Sequence, residues 1–351
     1  MDRRFSQGFT PPGVEWQRDR RGLDALLFEC RRQHRDARST RIGQRAKAES
    51  VAKAIQTAGR VDLLGMGASH FANQIAATRL RAVGIQAEAR IASEALYAPM
   101  PKPRRPAILV SQSGSSAEIV KWLESQEQKE GLFGITLSAG SPLAKAIPCL
   151  IAEGGSEAGF AATRSFTLTL VLHGLILASL GGQEADALPA EEAGVHPRLE
   201  LALTTLSSAT VFICSARSSF GGLANMTALG VMELGRVPAL GLDGGQLRHG
   251  PVELLSQSTG VILFRGPGAT VDSWDSIVRF CRDAGSPLVV FDSSGAPPID
   301  GAVTLDMPQG EGIGAVLTMA PTQQALVMGL AVQRSDAIGM PRYAVKVMDT
   351  E

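Results

Sequence analysis

The feature that most constrains the fold is Ala107-Ile108-Leu109-Val110 running into Ser111-Gln112-Ser113-Gly114-Ser115-Ser116 and then Ala117-Glu118-Ile119-Val120-Lys121-Trp122-Leu123. The apolar run reads as a buried parallel strand, and the residues after Ser116 open an amphipathic helix. A hydroxyl-rich turn between strand and helix gathers hydroxyls and free backbone N–H groups around one point. The helix dipole adds about half a positive charge there. Such a turn is a phosphate site without a lysine, which suits a sugar phosphate better than a nucleotide. The same residues have a plainer reading, because Ser115-x-x-Glu118 is a capping box that merely starts a helix.

Around this segment the chain alternates. Strand-like runs recur at 61–64, 87–91, 107–110, 132–136 and 149–152, separated by helical stretches that include 71–83 and 119–130. A charged, helix-prone segment at 18–58 precedes them. The stretch 181–197 is rich in Gly, Ala, Pro and acidic residues and reads as a linker. Strands then resume at 211–215, 237–241, 260–264, 288–291 and 302–305, with a Ser-rich strand end at Cys214-Ser215-Ala216-Arg217-Ser218-Ser219 that echoes the first turn. Regular alternation of this kind predicts an α/β fold. Two tandem doubly wound, flavodoxin-like domains are expected, each with a five-stranded parallel sheet. The expected limits are an N-terminal helical segment 1–45, domains at 46–185 and 198–335, and a tail 336–351. Ligands of such sheets sit beyond the carboxyl ends of the strands, where both Ser-rich turns fall.

Composition narrows the function classes. The 34 basic residues balance 34 acidic ones, so no basic face points to nucleic acid or an anionic membrane. The N-terminus lacks the apolar stretch of a signal peptide. The longest apolar run falls at 166–180; Thr167, Thr169 and His173 interrupt it, and it is too short to span a bilayer. Four scattered cysteines form no C-x-x-C pair, and five histidines show no metal-ligand spacing. A cytoplasmic protein using neither metal nor cofactor is expected.

Three further segments carry possible chemistry. Gly65-Met66-Gly67-Ala68-Ser69 follows the first strand, but His70 stands where a dinucleotide fingerprint needs its third glycine. The turn is then either an ordinary strand–helix junction or one that offers Ser69 to a ligand. His249 precedes Pro251, which suits a first helical position, so it lies in a loop as a surface residue or a proton-transfer group. Glu233 ends the apolar stretch Ala228-Leu229-Gly230-Val231-Met232, either solvated or partly buried with the raised pKa that suits a carbon acid's base. The tail Met340-Pro341-Arg342-Tyr343-Ala344-Val345-Lys346 interleaves apolar and basic residues as a packed segment would, although a frayed end is the plainer alternative.

Together these segments resemble the SIS (sugar isomerase) family, over residues 45–351. They are most similar to the isomerase half of the glutamine–fructose-6-phosphate aminotransferases and its stand-alone relatives. The resemblance rests on Gly67-Ala68-Ser69, Ile91-Ala92-Ser93-Glu94, Ser111-Gln112-Ser113-Gly114, residues 155–166, Gln246-Leu247-Arg248-His249-Gly250-Pro251 and Pro341-Arg342-Tyr343-Ala344-Val345-Lys346, in the family's order. It implies that Ser111, Gln112, Ser113 and Ser116 hold the sugar phosphate. Ser69 would touch the sugar hydroxyls, with backbone help near Phe160 and Val345. Glu233 takes the place of the base that moves a proton between C1 and C2. His249 takes that of the ring-opening residue, contributed across a homodimer interface. Lys346 would stabilise charge at the reacting oxygen or nitrogen, and Arg342 would order the tail.

This sequence departs from the family pattern at Gly230, where a lysine is common, at Met226, where an acidic residue is common, and at Ala162, where a serine is common. It also holds no glutaminase segment, so release of ammonia from glutamine is not expected. Three functions stay open. The foremost is an amino-sugar phosphate deaminase–isomerase. A plain aldose–ketose phosphosugar isomerase and a non-catalytic phosphosugar-binding regulator are the others.

Overall fold

The computed structural model describes residues 11–99, 106–182 and 194–343. Among these, 28–182 with 341–343 form one compact unit, and 11–27 with 194–340 form another. The chain enters through helix α1 (Arg21–Ala58), which runs unbroken past residue 45. Its first seven residues belong to the unit containing 194–340, and the rest to the other.

In the first unit the order is β1 (Arg60–Gly65), α2 (Gly67–Ala82), β2 (Gln86–Ile91), α3 (Ala92–Tyr97), β3 (Ala107–Val110), α4 (Ala117–Glu124), β4 (Leu132–Thr136), α5 (Pro142–Ala146), β5 (Cys149–Ile151) and α6 (Arg164–Ser179). The strands are all parallel and lie in the order β2-β1-β3-β4-β5. The order reverses between β1 and β3, where Gly65 pairs with Val110, so the turns after these two strands flank the crevice of a doubly wound sheet. Leu64, Leu109, Trp122, Leu132 and Leu143 pack together on one face and bind α4 and α5 to the sheet.

The second unit repeats the pattern with α7 (Leu199–Thr205), β6 (Val211–Ala216), α8 (Gly221–Gly230), β7 (Ala239–Asp243), β8 (Thr259–Arg265), α9 (Asp275–Ala284), β9 (Leu288–Asp292), β10 (Val303–Asp306) and α10 (Gly312–Val332). Its five strands are again parallel, in the order β10-β9-β8-β6-β7. The α/β class and the two five-stranded parallel sheets therefore match the sequence reading.

Several local expectations shift. Helix α4 stops at Glu124 instead of continuing to 130, because Ser125 Oγ and Gln126 Nε2 both donate to the Trp122 carbonyl, at 2.7 and 3.3 Å. Strand β7 starts two residues late. Arg236 takes a left-handed φ of 55°, and Pro238 has no N–H for the ladder. The capping box does not form: Ser116, not Ser115, is the N-cap residue of α4, and no side chain caps that end. Residues 166–179 fall in the buried helix α6, and the longest apolar helix is α10. It is long and apolar enough to cross a membrane, yet its residues are almost all buried inside its own unit. Its sequence hides this, because Pro321, Thr322, Gln323 and Gln324 break the apolar run.

Polar groups bind α1 to the first unit. Arg164, the first residue of α6, is 0% exposed and pairs with Glu29 and with Asp36 at 3.3 Å. It also donates to the carbonyls of Glu153 and Gly155, at 3.2 and 2.7 Å. Further along α1, Thr40 Oγ1 accepts from Glu153 N and Gln44 Oε1 from Ile151 N. Replacing Arg164 by Leu strands the buried Glu29 carboxylate, while Asp36 keeps Arg32 and Arg35 at 2.7 and 2.9 Å, and is expected to cost about 3 kcal/mol in urea unfolding. Adding Glu29→Gln should recover part of that loss.

Candidate functional site

The turn after β3 is fixed by its neighbours rather than by a cap. Ser111 N donates to Ile135 O, and the Gln112 carbonyl accepts from Leu137 N and Thr136 Oγ1, at 2.9 and 3.1 Å. The Gly114 carbonyl accepts from Leu143 N at 3.1 Å. Gly114 has a φ of +67°, and a Cβ there would run into Ser141, the N-cap residue of α5. Only glycine fits both the backbone and the space. Within the turn, Ser111 Oγ and Ser116 Oγ lie 2.9 Å apart, Ser111 Oγ accepts from Gly114 N, and Ser113 Oγ accepts from Ser115 N.

This leaves one group of donors unspent. Among the described residues, the backbone N–H groups of Ser113 and Ser116 donate to no protein atom, and α4 begins directly behind them. Hydroxyls, free N–H groups and the positive end of a helix together make an anion cradle without a side-chain cation. Ser113 and Ser116 are half-buried, while Ser111 lies beneath them.

Across the crevice, Ser69 sits buried in the first turn of α2, which starts right after the Gly65 turn. The structure thus places Ser69, Ser111, Gln112, Ser113 and Ser116 on the turns of the adjacent strands β1 and β3. Phe160 is half-buried in the loop before α6. That loop is held by Glu157, whose carboxylate accepts from Thr163 N, Thr163 Oγ1 and Ser165 N at 2.8–3.2 Å and from the Ser165 hydroxyl.

The second unit carries Glu233 and His249. Glu233 lies on a π-helical turn, Val231–Gly235, that continues α8, and its Oε2 is buried. Turns of this kind re-aim single side chains at functional sites. His249 is exposed between two short 3-10 turns, Gln246–Arg248 and Pro251–Leu254, and Pro251 takes the first position of the latter. Arg342 is exposed, and Val345 and Lys346 lie outside the described residues. Burial pushes the thiols of Cys30 and Cys281 up to about 12 and that of Cys149 up to about 11, so none is a ready nucleophile. Among the described residues no group of three His, Cys, Asp or Glu side chains converges as a metal site would require.

One pair went unnoticed in the sequence. His173 Nε2 of α6 lies 3.0 Å from Asn73 Oδ1 of α2, both fully enclosed. Asn73 is one helical turn after Ser69, a spacing that the sequence did offer as a signal. Burial holds the His173 imidazole down to about 3. The unfolded chain protonates this ring near 6.5, so the folded state loses stability as pH falls from 6.5 toward 3. The loss approaches tenfold in the folding equilibrium per pH unit, and His173→Gln should flatten that part of the profile in urea titrations at pH 7 and pH 4.5.

Residues 54–179 match the SIS domain and are one. Over 322 residues the chain is 27% identical to a glutamine–fructose-6-phosphate aminotransferase of Gloeobacter violaceus, covering 83% of this chain and 52% of the relative. The chain spans about half the length of the curated relatives it matches. Among solved structures it resembles tagatose-6-phosphate ketose/aldose isomerase of Escherichia coli, with TM-score 0.72 and 18% identity over 95% of this chain and 98% of that one. It also resembles glucosamine-6-phosphate deaminase of Thermotoga maritima, with TM-score 0.67 and 18% identity over 89% and 99%. At such identities these two likenesses establish the fold.

Proposed function

Starting from a SIS domain at residues 54–179, we propose that this protein is a phosphosugar isomerase-type enzyme, specifically an amino-sugar phosphate deaminase–isomerase. The observation that carries the reading is the Ser111–Ser116 turn, with free N–H groups of Ser113 and Ser116 ahead of α4. We read the second unit, with its matching strand order, as a second SIS domain, and the protein as a cytoplasmic homodimer.

The chemistry follows from the substrate's needs. The phosphate is anchored at the turn, which fixes the sugar's other end. His249 of a neighbouring subunit moves the proton that opens the ring. Glu233 takes the C2 proton of the open-chain amino aldose and returns it to C1, while Lys346 stabilises the charge that develops on the C1 oxygen. The product is a ketimine at C2. Water adds to it, and C–N cleavage releases ammonia and leaves the ketose phosphate. Ser69, the Phe160 loop and Val345 would line the sugar, and Arg342 would order the tail.

One observation favours plain aldose–ketose isomerisation as a second reading. At Gly230, where a lysine is common in the family, an added Cβ would stand 3.0 Å from Val327 Cγ1 of α10. A longer side chain there would press on Val327, and with glycine at this position the amine end of a substrate meets one cation fewer. A regulator that binds phosphosugar without turnover is the remaining possibility.

The test is release of ammonia and fructose 6-phosphate from glucosamine 6-phosphate by the purified protein. Glu233→Gln should lower kcat by about 10²–10⁴-fold and leave binding intact. Ketose formation from glucose 6-phosphate without any ammonia release would select the second reading, and binding without either product would select the regulator. In calorimetry, Ser113→Ala should weaken phosphosugar binding by about tenfold, the value of one charge-assisted hydrogen bond. An unchanged affinity would overturn the assignment of the turn.

A further inference from the structure

Strand β6 occupies in the second sheet the place that β1 holds in the first, with β7 on one side and β8 on the other. Its carboxyl end is therefore also a point where strand order reverses. The chain leaves it through Arg217, which is extended, and Ser218, which is exposed and takes a left-handed φ of 56°.

Arg217 lies with its guanidinium carbon 5.4 Å from the centre of the Trp274 ring, and Trp274 is buried. Its Nε is buried and has no hydrogen-bond partner. A second guanidinium, that of Arg248, comes from the short turn Gln246–Arg248. The two converge over Gly245, where a Cβ would stand 3.5 Å from Arg248 Nη2 and 3.9 Å from Arg217 Nη2. Among the described residues no carboxylate pairs with either group. Asp243, which closes β7 beside this turn, accepts from Asn225 Nδ2 at 3.4 Å. Burial, and after it the charge of Arg248, lower the pKa of Arg217 below the ordinary guanidinium value.

Two like charges near one another, one exposed at Arg248 and the other at Arg217 with a buried donor unspent, repel each other. The arrangement is relieved by a dianion that accepts from both planar forks at once, and a phosphate monoester has the charge and the three oxygens to do so. We propose that Arg217 and Arg248, converging over Gly245 at the carboxyl end of β6, form a second anion site that takes a phosphorylated small molecule. The site stands independently of the function proposed above. It differs in kind from the Ser111–Ser116 turn, since it binds by guanidinium charge rather than by hydroxyls and backbone N–H groups.

The experiment uses the full chain, inorganic phosphate and glucose 6-phosphate as probes, and calorimetry at constant ionic strength. It is run in wild type and Ser113→Ala, each with and without Gly245→Asp or Arg248→Gln. Gly245 has an ordinary φ of −88°, and its Cβ position is free of clashes, so Gly245→Asp sets a tethered carboxylate between the two guanidiniums without removing either. In the Ser113→Ala background phosphate binding should persist, and each of the other two substitutions should weaken it at least tenfold. Gly245→Asp should also raise the melting temperature in phosphate-free buffer, and phosphate should then add little further stabilisation. Binding by glucose 6-phosphate in parallel with phosphate would identify a phosphosugar ligand; binding by phosphate alone would identify the free ion. Binding abolished by Ser113→Ala and untouched by Gly245→Asp would overturn the second site while leaving the first standing. Unaltered phosphate binding on adding Gly245→Asp to a normally melting Ser113→Ala protein would overturn it as well.

Discussion

A single buried arginine organises the first unit. Arg164 begins α6 with no exposure to solvent, and its guanidinium reaches back to Glu29 and Asp36 on α1 and to two carbonyls of the loop between β5 and α6. Such a cluster adds little net stability over apolar packing, but it tolerates almost no alternative geometry. It fixes the angle of α1, the path of residues 153–155 and the start of α6 in one step. Next to it, Glu157 satisfies Thr163 N and Ser165 N, which would otherwise be orphan donors at the helix start. The N-terminus of α6 is thus spent on an internal carboxylate. That of α4 is left open, with Ser113 and Ser116 ahead of it. The contrast between two helix starts in one unit separates scaffold from candidate site.

The two sheets share a strand order but not a chemistry. At the end of β3, the unit offers hydroxyls and backbone donors held in place by β4 and α5. At the end of β6, the other unit offers two guanidiniums above a glycine. The shared strand order sets the positions, and local sequence decides what each position presents.

Most of the framework could be read from the amino acids, because parallel strands covered on both faces must be continuous apolar runs. Strands β3 and β4 coincide with their sequence limits. What stayed hidden depends on contacts distant in sequence. The early end of α4 follows from side chains that compete for the Trp122 carbonyl. Helix α10 is apolar around its whole circumference despite Gln323 and Gln324, which pack inside the unit. The serine-rich turn was legible as a polar cradle, whereas its dependence on Ser141 behind Gly114 was not. The π turn under Glu233 has no periodicity of its own to betray it. The tight approach of α10 to Gly230 likewise becomes visible only once the helices are packed.

The N-terminal segment carries one more consequence. Gln17 donates from Nε2 to Ser335 O at 2.6 Å and accepts from Ile338 N at 3.2 Å, across more than 300 positions of chain. Leu23 and Leu26, in the first turns of α1, are fully buried in the same unit. On a ribosome, the partners of residues 17–27 therefore emerge more than 300 residues after them. Until then, two leucines and the start of a long helix stay exposed and open to wrong associations. The first unit has most of its chain by residue 182 and can collapse early, while the second must wait to close around a segment made more than 300 residues before its partners. Its rate of maturation should be set by that long loop closure, and early intermediates should be the species that chaperones and proteases meet.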